Sequence, residues 1–223
     1  MTTPVEVVLF DVDDTLCAYR RSGAELLSIA FERVGVEPFF ELADYHARYG
    51  EFVGSTDSVA ELRAACFAAI AEARGRGPDL GRAVAAVYAD ERDHEAVDFV
   101  PGAREAVDAL GVEYRLGVVT NGAPGMQAAK LAGLGLDDAF ETVVHAGYGV
   151  PAKPDPEPFR RALAALDAAP ESTVHVGNSL ASDVAGARAA GVRSAWLDDG
   201  SEPDPVPDYR LGSMADLREP PWR

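Results

Sequence analysis

Hydrophobic and polar positions divide the chain into three stretches of different period. Residues 5–11 (Val-Glu-Val-Val-Leu-Phe-Asp) form a β-branched apolar run, which predicts a buried strand ending at Asp11. From about residue 22 to 95 the pattern is helical, rich in alanine, leucine, glutamate and arginine. Apolar residues there fall at helical spacing, as in Leu26, Leu27, Ile29, Ala30 and Phe31. Helix breaks are expected at Gly35, near Gly50 to Ser55, and at Gly75 to Pro78. From Pro101 onward strand and helix alternate. Helices are predicted at 101–110, after Ala123, at 156–166 and at 181–190, and strands at 114–120, 142–145, 173–177 and 193–197. The tail after Asp198 carries five prolines and reads as irregular, with a short edge strand near Tyr209 to Leu211.

Alternating strands and helices imply right-handed βαβ units and a mainly parallel sheet. The first strand must join that block, because a lone strand cannot bury its faces. The fold class is therefore α/β, a parallel sheet flanked by helices, with the helical stretch inserted into it. In such a sheet ligands bind beyond the carboxyl ends of the strands, so the residues just after each strand carry the functional question.

Composition narrows the partners. The 223 residues are 48% hydrophobic, enough for a genuine core, and the formal net charge is −17. Only two of the 20 basic residues are lysines, Lys130 and Lys153, which makes each more informative. An acidic surface fits either an ordinary soluble protein or one adapted to high salt, and both readings stay open. Nucleic acid is a poor partner and none is expected, since its phosphates need a basic surface. No signal peptide or membrane span is expected, so a soluble cytoplasmic protein follows. Cys17 and Cys66 suggest neither a disulfide framework nor metal-ligand spacing. His46, His94, His145 and His175 are too scattered for zinc.

Chemistry concentrates at the strand ends. The first strand ends in Asp11-Val12-Asp13-Asp14-Thr15, where two carboxylates two residues apart would repel unless a hard divalent cation compensates them. The second ends in Thr120-Asn121-Gly122, a hydroxyl, an amide and a flexible backbone able to hold an oxyanion. After the third comes Lys153 in Pro151-Ala152-Lys153-Pro154, stiffly placed to neutralise phosphate. The fourth ends in Gly177-Asn178-Ser179, followed by Asp183, a second set of oxygen ligands.

These four segments, in this order and at these strand ends, resemble the haloacid dehalogenase-like hydrolases of subfamily I with a C1-type helical cap. The resemblance covers nearly the whole chain. It implies a Rossmann-like catalytic core of residues 1–16 and 97–223 and a helical cap of residues 17–96, opening and closing about residues 16–20 and 95–100. It further implies that Asp11 attacks phosphorus to form an aspartyl-phosphate. Asp13 would then protonate the leaving alcohol and activate the hydrolytic water. Thr15, Thr120, Asn121, Gly122 and Lys153 are the implied substrate-binding residues, with Thr120 and Lys153 holding the phosphoryl group and Lys153 also orienting Asp11. Mg2+ is the implied cofactor, held by Asp11, the main-chain carbonyl of Asp13, and Asn178 with Asp183. Phosphatases of this family usually carry aspartate where this chain has Asn178, so weaker metal affinity is expected.

The expected activity is Mg2+-dependent hydrolysis of a small phosphorylated metabolite by a monomer or homodimer. Two rivals remain. A 2-haloacid dehalogenase would use the same nucleophile on carbon but lacks a second aspartate at the Asp13 position, and a non-catalytic phosphate-binding member would be expected to lose Asp11 or Lys153. Tyr19, Arg20, Arg21, Tyr45, Arg48 and Tyr49 are candidate substrate contacts, and the substrate itself is not legible.

Overall fold

A computed structural model describes residues 3–52 and 58–223; the break expected near Gly50 to Ser55 lies partly outside them. The chain forms two compact units, residues 1–19 with 94–223, and residues 20–93.

The first unit is built on a six-stranded sheet. In chain order its strands are β1 (Val7–Phe10), β4 (Arg115–Thr120), β5 (Thr142–His145), β6 (Thr173–Gly177), β7 (Arg193–Leu197) and β8 (Tyr209–Leu211); β2 (Cys17–Tyr19) and β3 (Val97–Phe99) pair separately. The spatial order is β5-β4-β1-β6-β7-β8, with every neighbouring pair parallel. The α/β parallel-sheet fold expected from the sequence is the fold observed.

Period-two alternation explains how the sheet is covered. Val8, Phe10, Val118, Val174 and Val176 belong to one apolar cluster, with Ala103, Ala106 and Val107 of α5 (Ala103–Leu110) and Leu131 of α6 (Pro124–Gly133). Their neighbours Val7, Leu9 and Val119 belong to another, with Phe159 and Ala162 of α7 (Glu157–Ala165) and Ala187 of α8 (Ala185–Ala189). Both faces of β1 are thus buried, which is why its sequence is continuously apolar.

The helix expected at 181–190 departs from expectation in its first turn. Residues Leu180–Val184 wind as a π-helix, in which Val184 N–H donates to Ser179 O (3.2 Å), before α8 begins. The paired strands β2 and β3 were also absent from the sequence reading. At three residues each they have no periodicity to detect.

The second unit contains α1 (Gly23–Val34), α2 (Leu42–Phe52), α3 (Val59–Ala73) and α4 (Pro78–Glu91). Helix α1 starts in a capping box in which Ser22 and Glu25 satisfy each other's backbone N–H, and it ends at Gly35 in the left-handed conformation (φ 77°). The core is aromatic: Phe31, Phe40, Phe67 and Tyr88 stack edge to face in series, with centroids 4.9–5.8 Å apart. Tyr45 is buried in this core, while Arg48 pairs with Glu51 and Arg21 with Glu91. Three of the six candidate substrate contacts therefore have structural work within their own unit. Among the described residues no helix is long and apolar enough to cross a membrane.

Helices α3 and α4 meet at Gly81, where a methyl group would lie 2.2 Å from the Phe67 carbonyl oxygen. Gly81→Ala gains roughly 1 kcal/mol of helix propensity. The backbone clash outweighs it, and a net loss of about 1–3 kcal/mol is expected from overpacking. Urea unfolding would show it; an unchanged or raised midpoint would refute the close packing of these two helices.

Candidate active site

The sheet brings all four predicted segments to one edge. Asp11 continues β1, its N–H donating to Val176 O of β6 (2.9 Å), so its side chain leaves the strand end between β4 and β6. A cavity of about 270 Å3 opens there. Its lining includes Asp11, Asp13, Thr120, Asn121, Gly122, Lys153, Asn178 and Asp183. Of the predicted site residues only Thr15 is not on its wall. Thr15 is fully buried just beneath, its hydroxyl donating to Asn178 Oδ1 (3.3 Å).

Lys153 is the centre of the site. Its side chain is 1% exposed, and Nζ donates to Asp11 Oδ1 (2.7 Å), Asp183 Oδ1 (2.6 Å) and Val119 O (2.7 Å). All three ammonium protons are therefore committed. The loop carrying Lys153 is clamped by Asn121, whose Oδ1 accepts from Lys153 N–H (2.8 Å) while its Nδ2 donates to Lys153 O (3.1 Å). Asn121 thus ties the end of β4 to the lysine loop.

Asp183 stands behind Lys153. Its Oδ1 also meets His175 Nε2 (3.1 Å), and its Oδ2 accepts from Ser179 N–H (3.0 Å). Gly177 makes this packing possible, since a methyl group on it would sit 2.4 Å from the Asp183 carboxyl carbon. The π-helical turn is what returns Asp183 to the strand end.

Electrostatics follow from this burial. Burial pushes the Asp11 carboxyl up to about 6, with the Lys153 ammonium pulling the other way. Burial would also raise Asp183, but Lys153 and His175 outweigh it and hold Asp183 well below the usual carboxylate range. Burial would lower Lys153, yet Asp11 and Asp183 carry it above the usual ammonium value, so it stays charged. Burial lowers His175 despite its bond to Asp183.

Asp13 is placed differently. Its side chain is 44% exposed, and it is gripped from α6: Gln127 Nε2 donates to Oδ2 (2.7 Å) and Lys130 Nζ donates to Oδ1. Asp14 turns the chain in the left-handed conformation (φ 57°), and its N–H donates to Cys17 O (2.8 Å). Three residues of this site had no role in the sequence reading: Gln127, Lys130 and His175. The rarity of lysine was the one signal for Lys130.

The cavity wall carries side-chain oxygens, those of the Asp11 carboxylate and of Asn178 with Asp13 beside them. Among the described residues no group of three or more His, Cys, Asp or Glu side chains forms a metal site by itself. An oxygen set with few carboxylates suits a hard cation that keeps waters and takes substrate oxygens, and it does not suit zinc. Asp183, engaged through both oxygens, supports the set from behind by holding Lys153.

The chain is similar to known proteins. The family model described as haloacid dehalogenase-like hydrolase matches residues 5–191. Phosphoserine phosphatase of Thermus thermophilus is 33% identical, over 96% of this chain and 97% of its own. Phosphoglycolate phosphatase of Cereibacter sphaeroides is 32% identical, over 89% of this chain and 88% of its own. Among solved structures, the magnesium-bound HAD-hydrolase YfnB of Bacillus subtilis superposes with a TM-score of 0.73 at 23% identity, covering 96% of this chain and 97% of its own. With the motifs at the strand ends and a family match across most of its length, the chain belongs to the haloacid dehalogenase-like hydrolases.

Proposed function

We propose that this protein is a Mg2+-dependent phosphatase that hydrolyses a small phosphomonoester through an aspartyl-phosphate on Asp11. The observation that carries the reading is the pairing of Asp11, fixed by Lys153, with a second aspartate at the same cavity, Asp13. Two relatives named for small phosphomonoesters, matched over nearly the full chain, support it.

The first step forms a bond between an Asp11 carboxylate oxygen and phosphorus and breaks the bond from phosphorus to the ester oxygen. Asp13 gives its proton to the departing alkoxide, which leaves as the alcohol. In the second step Asp13, now a carboxylate, takes a proton from water as that water attacks phosphorus. Inorganic phosphate leaves and the Asp11 carboxylate is restored. Lys153 orients Asp11 throughout, and Thr120 with the backbone at Asn121 and Gly122, residues of the same cavity wall, would hold the phosphoryl oxygens. Asp11, the Asp13 carbonyl and Asn178, with Asp183, would hold Mg2+, which would supply positive charge to the site. The helical unit, residues 20–93, is the proposed cap, suited to a small metabolite rather than to nucleic acid.

Metal removal tests this reading. Hydrolysis of p-nitrophenyl phosphate and a panel of metabolite phosphates is expected with Mg2+, to be lost in EDTA, and to return with excess Mg2+. Activity indifferent to EDTA would overturn the assignment. Chloride release from 2-chloropropionate in EDTA would favour the dehalogenase reading instead.

A further inference from the structure

The two lysines of this chain are both buried, and the proposed chemistry uses only one of them. Lys130 is on α6, 1% exposed, far less than a solvent lysine would be. A buried ammonium is retained only where something compensates it. Here the compensation comes from two sides: the Asp13 carboxylate at Oδ1, and the Tyr19 ring, whose centroid lies 4.7 Å from Nζ.

Gln127, one turn earlier on the same face of α6, completes the grip. It is fully buried, and its Nε2 donates both to Asp13 Oδ2 (2.7 Å) and to Thr120 Oγ1 (3.2 Å). One helix therefore holds both oxygens of the Asp13 carboxylate, and through Thr120 it references that carboxylate to the end of β4. Tyr19 extends the linkage. It lies on β2, its hydroxyl meets His94 Nδ1 (2.6 Å), and the chain passes between the two units just after Tyr19 and just before His94.

We propose that Lys130 and Gln127 are positioning residues for Asp13, fixing the orientation from which it donates and accepts the proton, with Tyr19 tying this device to the β2–β3 strands where the chain changes units. The inference rests on the phosphatase reading and goes beyond it by assigning α6 a part in proton transfer. A solvent-facing aspartate without such a grip would sample several rotamers, and misplacement of about 1 Å can remove a hundredfold in rate.

The test separates the proton-dependent steps from the attack by Asp11. Lys130→Met and Gln127→Leu are compared with wild type and Asp13→Asn by stopped flow. The substrates are p-nitrophenyl phosphate, whose leaving group needs no proton, and an alkyl phosphate that the wild type hydrolyses. For both variants the p-nitrophenolate burst is expected to stay within about threefold of wild type. Steady-state turnover of the alkyl phosphate should fall by roughly 10- to 100-fold, part of the range general acid–base catalysis spans, with KM little changed. Asp13→Asn should show the same pattern more strongly. An equal fall in burst and turnover on both substrates, or no fall at all, overturns the positioning role while a defective Asp13→Asn leaves the phosphatase reading standing. Full activity of Asp13→Asn would overturn that reading itself. If Lys130→Met does not fold, Gln127→Leu, nearly equal in volume, decides between the same outcomes.

Discussion

Asp11→Asn is expected to reduce phosphomonoester turnover by on the order of 10⁴-fold or more while leaving the protein as stable as the wild type, or more so. The rate loss follows because an amide cannot form the acyl-phosphate, and no other carboxylate takes its place. Asp13 is held by α6, and Asp183 is engaged by Lys153, His175 and Ser179. The stability gain follows from the raised Asp11 pKa: burial and the neighbouring Asp183 charge disfavour its ionised form, and asparagine removes that charge without changing shape. Its side-chain oxygen can still accept from Lys153. The measurements are steady-state hydrolysis, acid-stable incorporation of labelled phosphate, and thermal unfolding. Turnover above about 1% of wild type, in a preparation free of deamidated protein, would remove Asp11 from the nucleophile's role. A large fall in Tm would instead mean that the carboxylate is a net structural asset.

Lys153→Met is expected to fail in both respects. It takes away the one ammonium that bonds two buried carboxylates and a strand-end carbonyl, leaving Asp11 and Asp183 facing each other. Breaking a buried ion pair by deleting one partner costs about 3–5 kcal/mol, because the survivor is a buried charge without compensation. A loss of about that size should appear in urea unfolding, together with loss of activity. The double variant Lys153→Met/Asp183→Asn separates the two effects. Neutralising Asp183 should recover much of the stability, as coupled neighbours do in a double-mutant cycle, and none of the activity. Additive losses would contradict the shared hydrogen-bonded cluster.

The residues legible in the sequence were those that terminate strands. Asp11, Thr120 and Asn178 lie at the ends of apolar runs that are easy to see, Lys153 stood out by its rarity and its flanking prolines, and the parallel sheet brings these segments to one edge. Gln127 and Lys130 were not legible, because polar residues three apart in a helix read as its solvent face. Only the coordinates show that this face is turned inward onto Asp13. His175 was hidden for the opposite reason: it sits inside the apolar run of β6, where it passes for a strand residue, and its contact is with a carboxylate brought back by the π-wound turn. Strands β2 and β3 are too short to carry a period, so residues 16–20 and 95–100 were read as hinge segments and not as a paired ribbon.

The placement of both lysines, each with its side chain 1% exposed, also determines how the protein meets amine chemistry. Acylating reagents and lysine-directed conjugating enzymes find no lysine on its surface, despite 20 basic residues in the chain, since all the others are arginine. Acylation of Lys130 or Lys153 requires the site to open and break the ion pairs to Asp13 or Asp11. Its rate is thus a direct reading of local opening at the catalytic edge, free of the surface background that obscures such labelling in lysine-rich proteins.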